Sequence, residues 1–330
     1  MEARPSLHHP RRGAFTADLC LPSPSALRTA VIAARLLRLG FCWPCLCVIA
    51  CTHLLGCKGS PSASQPEGYF GVTETLIDVV GAINNNNGQL PTLWAKGDFE
   101  ATFSDRGRSQ FVNGSATILV RKPSEFRLVG KKDIAGQIFE LGTTRDEYWM
   151  IVRPEADTMW WGSFEKLATA DSALIPIQPD LLSEVLAVGD LNTDLTREPA
   201  PVMRFNNDAD AYMFVWIVRA QSKWVAQKEV WYDRETKHPR LVLLFDVDGR
   251  IVLRAYLSKH QQVGETNAFV ATEYDLLFPD RQAKLKLSLN ELKLENNGVP
   301  REGSIRFPGP NADNAGVSNV VRIDDQSPAR

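Results

Sequence analysis

Hydrophobic positions along this chain change period near residue 90. Between residues 70 and 83, Val72, Leu76, Val79, Val80 and Ile83 recur at spacings of three and four, the signature of a helix with one buried face. Asn84-Asn85-Asn86-Asn87-Gly88 follows, and both residue types tolerate the left-handed conformation that ends a helix. From Leu93 onward the period is two. In 282–290, Ala283, Leu285, Leu287 and Leu289 alternate strictly with polar neighbours. In 146–153, Tyr148, Met150 and Val152 face one way while Trp149 and Ile151 face the other. Similar runs cover 95–103, 114–121, 126–131, 137–141, 158–161, 212–218, 224–232, 240–245, 251–258 and 269–277.

Turn residues separate these runs at Asp105-Arg106-Gly107, Lys122-Pro123, Asp248-Gly249 and Pro279-Asp280. Asp248-Gly249 between two apolar runs predicts a tight hairpin. It also mimics part of a calcium loop, but the glycine and terminal glutamate of that loop are misplaced. A second helix is expected at 180–187. About a dozen short strands with so few helices predict a mainly β fold with some α structure. The expected form is a curved antiparallel sheet, an incomplete β-barrel with helices packed into its mouth, because so large a flat sheet would leave long open edges. Residues 296–330, rich in Gly, Pro, Asn and Ser, are expected to be loosely ordered.

Composition divides the chain in two. All six cysteines (Cys20, Cys42, Cys45, Cys47, Cys51 and Cys57) fall within residues 1–57, together with six Arg and no Lys against Glu2 and Asp18. Taken from totals of 37 basic and 39 acidic residues, that leaves 31 against 37 in the body. An acidic, cysteine-free body argues against a nucleic-acid binder and has no thiolate chemistry. Arg28, Arg35 and Arg38 precede an uncharged, mostly apolar stretch over 39–56, the order found in a secretory signal. It ends Leu54-Leu55-Gly56-Cys57, similar to the bacterial signal in which the cysteine is lipidated and becomes the mature N-terminus. Val48-Ile49-Ala50-Cys51 fits the same pattern, and an uncleaved helical anchor is the other alternative. Cys57 is preferred, because 58–67 then forms a flexible Ser/Pro/Gly tether and Leu54 and Leu55 leave with the signal. Cys42-Trp43-Pro44-Cys45 lies inside this segment, away from the strand-to-helix junction that a redox pair needs.

Candidate chemistry in the body is sparse. His238 precedes Pro239 at a strand entrance and His260 lies beside Lys259; each reads as a solvated surface histidine. Glu140, Asp146, Glu147, Glu155 and Asp157 are explained by solvated strand faces and turns, although paired-carboxylate hydrolysis stays open on sequence alone. No nucleophile elbow or phosphate-binding glycine loop occurs, and the expectation is a non-enzyme without metal or cofactor. Seven of the eight tryptophans lie in the body, mostly in predicted strands. The strands holding Trp149 and Trp216 are apolar on both sides, and such strands are expected to bury both faces. Those aromatics either fill a core or line an apolar cavity.

Residues 70–294 resemble the bacterial outer-membrane lipoprotein carrier and receptor family, LolA and LolB. The likeness lies in the leading helix, in Leu93-Trp94-Ala95-Lys96-Gly97-Asp98-Phe99-Glu100, and in the apolar strand, basic-Pro turn and Phe126-Arg127-Leu128 that run from Gly114. It continues in Tyr274, Phe278-Pro279 and the alternating last strand. The family has an aromatic residue where this chain has Leu128, and the insertion over 164–201 is long. The resemblance implies a half-barrel of about eleven strands, spanning 68–295, closed by helices around a cavity for acyl chains. The implied protein is a monomer, lipid-anchored in the bacterial envelope and facing the periplasm, with the outer membrane favoured. Its partners would be acyl chains or lipoproteins. Strand aromatics and this resemblance together mark Phe126, Leu128, Trp149, Ile151, Trp160, Phe214, Trp216 and Trp231 as candidate lining. The alternative is an anchored envelope regulator or scaffold that binds protein.

Overall fold

The computed structural model describes residues 72–105, 108–153, 156–169, 177, 179–220, 222–294 and 305–324. The export segment with Cys51 and Cys57, the Cys42/Cys45 pair, the tether 58–67, and Arg106 and Gly107 of the first turn lie outside the described residues.

Helix α1 spans Leu76–Asn87, and the Thr75 side chain caps it by accepting from the Asp78 amide. The helix ends within the expected run, but not through a left-handed residue. Gly88 is right-handed, and the asparagines form the last turn. Their amides are used on neighbouring loops instead. Asn84 exchanges two hydrogen bonds with the Leu191 backbone, Asn86 exchanges two with Phe269, and Asn87 donates to the Ala187 and Gly189 carbonyls.

Two meanders follow. The first is β1 (Thr92–Asp105), β2 (Arg108–Arg121), β3 (Glu125–Lys132), β4 (Gly136–Thr143), β5 (Glu147–Val152) and β6 (Thr158–Ser163). A 3-10 turn at Phe164–Thr169 and helix α2 (Pro179–Val185) lead to the second. That meander is β7 (Pro201–Asn206), β8 (Ala211–Ala220), β9 (Lys223–Asp233), β10 (Pro239–Phe245), β11 (Ile251–Ser258), β14 (Glu273–Phe278) and β15 (Ala283–Lys293). A two-residue ribbon, β12 (Gln261–Gln262) and β13 (Phe269–Val270), interrupts it. Helix α3 (Ala312–Ala315) and β16 (Asn319–Arg322) end the described chain.

Fourteen of these strands form one sheet in the order β16-β6-β5-β4-β3-β2-β1-β15-β14-β11-β10-β9-β8-β7. Pairing of β1 with β15 joins the meanders at the middle, and among the described residues no ladder closes the sheet between β16 and β7. The mainly β, unclosed sheet matches expectation, but it has more strands than about eleven and is mixed, because β16 runs parallel to β6. Neither β7 nor β16 has a long alternating run, which is why periodicity missed both. At the join, the register shifts after Lys96, and a Cβ on Gly97 would lie 2.0 Å from the Ser288 carbonyl oxygen. Only glycine allows this close approach at the bulge.

The connection from β6 to β7 starts beside one edge of the sheet and ends at the other, so it must cross a face. Leu182, Val185, Leu186 and Val188 from that connection are buried with Val79, Val80 and Ile83 of α1 in the main core. The opposite face of β5 and β6 carries a second core. There the terminal segment contributes Ile305, Ala315 and Val317 against Trp149, Ile151 and Met159. Residues 305–324 are therefore packed structure rather than a loose tail. Its apolar side chains cover the outer face of β5, which alternation had left without a partner.

Candidate functional site

Helices α1 and α2 cover an apolar face that continues across both meanders. Phe126 and Leu128 from β3, and Phe214 and Trp216 from β8, are all buried there. Trp160 packs against the same cluster while half-buried. Phe214 stacks on Trp216 at 6.0 Å and meets Tyr232 edge-on at 5.4 Å. The face is filled by these side chains. At its margin, Lys228 lies 4.7 Å above the Trp216 ring and pairs with Glu184 of α2 at 2.6 Å.

Three of the eight predicted lining residues lie elsewhere. Trp149 and Ile151 belong to the second core, on the opposite face of the sheet. Trp231 alternates with buried Val230 and Tyr232 and so also faces away; its indole donates to Glu229. Period two fixes which residues share a side of a strand but not which side is inward. Strand β5 buries both faces as expected. Strand β8 does not, because its outer Ile217 is 37% exposed. Trp224, at the start of β9, is 61% exposed.

Polar groups under the helices are few. Asp180, in the first turn of α2, has a buried carboxyl oxygen without a partner among the described residues. Burial pushes its pKa up to about 6, with Glu184 adding to the rise and the Asp180 and Leu181 amides opposing it. The Tyr148 and Tyr274 hydroxyls are likewise buried and unpartnered among the described residues. Burial raises both phenols, and for Tyr148 the negative Asp324 and Asp180 add to it.

His238 and His260 are not separate solvated residues. Their rings stack at 4.7 Å, and Phe269 lies 5.1 Å from His238. Burial, then the neighbouring His238, brings His260 down to about 4. The register of the β10–β11 hairpin could have revealed the pair. It sets Leu241 against Tyr256, so continuing outward brings 238 opposite 259.

Glu140 is also not a solvated carboxylate. It is buried and accepts four hydrogen bonds, from Arg127 Nε and Nη2, Gln137 Nε2 and Trp149 Nε1 at 2.8–3.1 Å. Beside it, a cavity of about 310 Å³ lies between the outer sheet face and the terminal segment. Another, of about 230 Å³, is bordered by Asp98, Glu100 and Asp133. Among the described residues, no group of three His, Cys, Asp or Glu side chains is placed to hold a metal.

No family model matches the chain, and no curated protein matches it. Among solved structures, it is similar to a putative outer membrane lipoprotein-sorting protein domain from Vibrio parahaemolyticus, with 9% identity and a TM-score of 0.47, over 69% of this chain and 94% of that one. It is also similar to a DUF1329 family protein from Desulfovibrio piger (9%, TM-score 0.46, 70% and 97%). A LolA superfamily protein from Nitrosomonas europaea is comparable, at 9% identity and a TM-score of 0.44, over 70% of this chain and 99% of that one.

Proposed function

We propose that this chain is a lipid-anchored protein of the bacterial envelope whose helix-covered sheet face takes up acyl chains. The observation that carries the reading is that an extended apolar face, with Phe126, Leu128, Trp160, Phe214 and Trp216 on it, is covered by two short helices and a crossing connection rather than by strand pairing. Because the face is filled by its own side chains, uptake requires displacement of a helical cover. Trp149, Ile151 and Trp231 lie on the other face and are no longer part of the proposed lining. Cys57 is the proposed anchor, and no catalytic step is assigned.

The test is a tryptophan-fluorescence titration of the full chain with fatty acids of increasing length. Affinity should rise by about 0.8 kcal/mol per methylene until the site is full. Trp216→Phe should remove much of the signal, and Trp149→Phe should not. Binding that is absent, or indifferent to chain length, sinks the acyl reading and favours an anchored regulator or scaffold that binds protein. The anchor is tested separately: Cys57→Ser should move the chain to the soluble fraction and abolish palmitate labelling. Loss of labelling in Cys51→Ser alone would assign the other cysteine.

A further inference from the structure

The cavity on the outer sheet face has a charge balance that the acyl reading does not use. Its walls include Arg127, Ile151 and Arg153 of the strand side, and Arg306, Pro308 and Ala315 of the terminal segment. Glu140 is the carboxylate among the described lining residues. A carboxylate has about four lone-pair positions. Those of Glu140 are taken by Arg127 twice, by Gln137 and by Trp149. Arg127 and Glu140 therefore neutralise each other, and Glu140 has no acceptor capacity left for the other guanidiniums.

Arg153 and Arg306 thus bring two positive charges to the cavity without a carboxylate partner among the described residues. Arg153 donates through Nη2 to the Ala315 carbonyl, while its Nε–H is buried and has no partner among the described residues. A buried, unsatisfied charged donor is costly, and an acceptor placed beside it would relieve the cost. Arg306 is exposed at the cavity rim.

We propose that this cavity binds the phosphate group of a phosphomonoester. At neutral pH such a group carries a charge of about −1.5 to −2 and three acceptor oxygens, which match the exposed Arg306 guanidinium and the Arg153 Nε–H that has no partner among the described residues. At about 310 Å³ the cavity is larger than a bare phosphate needs and lies at the lower end of small-ligand pockets. Ile151, Pro308 and Ala315 supply an apolar wall for whatever bears the phosphate. The site lies on the face opposite the proposed acyl site, so the two can fail independently.

The experiment uses the full chain in two arms. In solution, glycerol 3-phosphate is titrated by calorimetry. On membranes, recruitment to phosphatidic acid vesicles is compared with phosphatidylcholine vesicles, so that insertion of any lipid anchor cancels. One-to-one binding in solution supports the site with a free phosphomonoester as ligand. A phosphatidic acid excess without binding in solution supports it with a lipid headgroup as ligand. In either arm Arg306→Gln should weaken binding about tenfold or more, as loss of a charge-assisted contact does. Arg153→Lys, which keeps the charge and loses the fork, should weaken it as well. Should Arg153→Lys fail to fold, the exposed Arg306 still decides the question. Lys284→Gln, a solvated lysine on β15, is the control for general charge. Binding in neither arm, binding unchanged by Arg306→Gln, or equal weakening by Lys284→Gln overturns the proposal.

Discussion

Asp180 offers the sharpest test of how the helical cover is held. It sits in the first turn of α2, beside buried Leu182 and Val185, and burial raises its carboxyl from 3.8 to about 6. At 1.36 kcal/mol for each tenfold change in proton affinity, ionising it in the folded state costs about 3 kcal/mol. The folded-state value lies above the unfolded one, so the folded chain holds the proton more tightly. The contribution of this group to stability is therefore greatest below pH 3.8, falls as pH rises toward 6, and levels off beyond. Asp180→Asn keeps the acceptor for the Leu181 amide and cannot ionise. Urea unfolding of both chains should show the variant more stable by about 3 kcal/mol at pH 7.5 and by only about 1 kcal/mol at pH 4.5. A stability gain over the parent that is the same at both values, or a variant less stable than the parent at pH 7.5, would refute the argument that α2 buries an unfavourable carboxylate.

The stacked histidines predict the opposite slope. His260 has its folded value lowered from 6.5 to about 4, so its contribution to stability is full above pH 6.5 and is lost as pH falls toward 4. His260→Gln should remove about 2 kcal/mol of the loss between pH 7.5 and pH 5, measured by urea titration. Phe307 lies 5.7 Å from Trp149 and 5.4 Å from Trp161, so Phe307→Ala should cost about 2 kcal/mol and shift tryptophan emission to the red as the terminal segment loosens. At Gly142, paired with Trp149 across β4 and β5, an added Cβ would meet the indole at 2.1 Å. Gly142→Ala should lower stability by about 1–3 kcal/mol in the same assay, because that ring is fully buried and cannot swing away.

Alternation located most strands of this sheet, since each needs only local sequence to declare its two sides. Burial of both faces of β5 was legible in Tyr148–Met150 set against Trp149–Ile151, and the Asp248-Gly249 turn appears as a hairpin with Gly249 at a positive φ of 81°. What stayed hidden is non-local. Nothing in the strands tells which side the helices cover, and that depends on where the β6–β7 connection crosses. The Asn run reads as a helix stop when judged by its neighbours, and the helix does end there, yet the asparagines themselves stay helical because Leu191 and Phe269 supply partners far along the chain. Glu140 reads as one of many carboxylates. Only the pairing of β3, β4 and β5 brings Arg127 and the Trp149 indole onto it.

The two helices of the cover are held differently, and this predicts which one moves. Asn84, Asn86 and Asn87 fix the C-terminal end of α1 through six hydrogen bonds, four of them to Ala187, Gly189 and Leu191 just beyond α2. The C-terminal end of α2 is therefore tied to α1, while its first turn carries the Asp180 carboxyl, one oxygen of which is buried without a partner among the described residues. Local opening free energy should then be lowest at the start of α2 and higher along α1. In native-state hydrogen exchange at pH 7.5, the amides of Ser183, Glu184 and Val185 should exchange faster than those of Val79, Val80 and Ile83. Asp180→Asn should slow the α2 group by a factor approaching a hundredfold, since each 1.4 kcal/mol recovered is about tenfold in an opening constant. The α1 group should be unchanged. If both groups slow together, α1 and α2 open as one unit, and the independent opening of α2 is wrong.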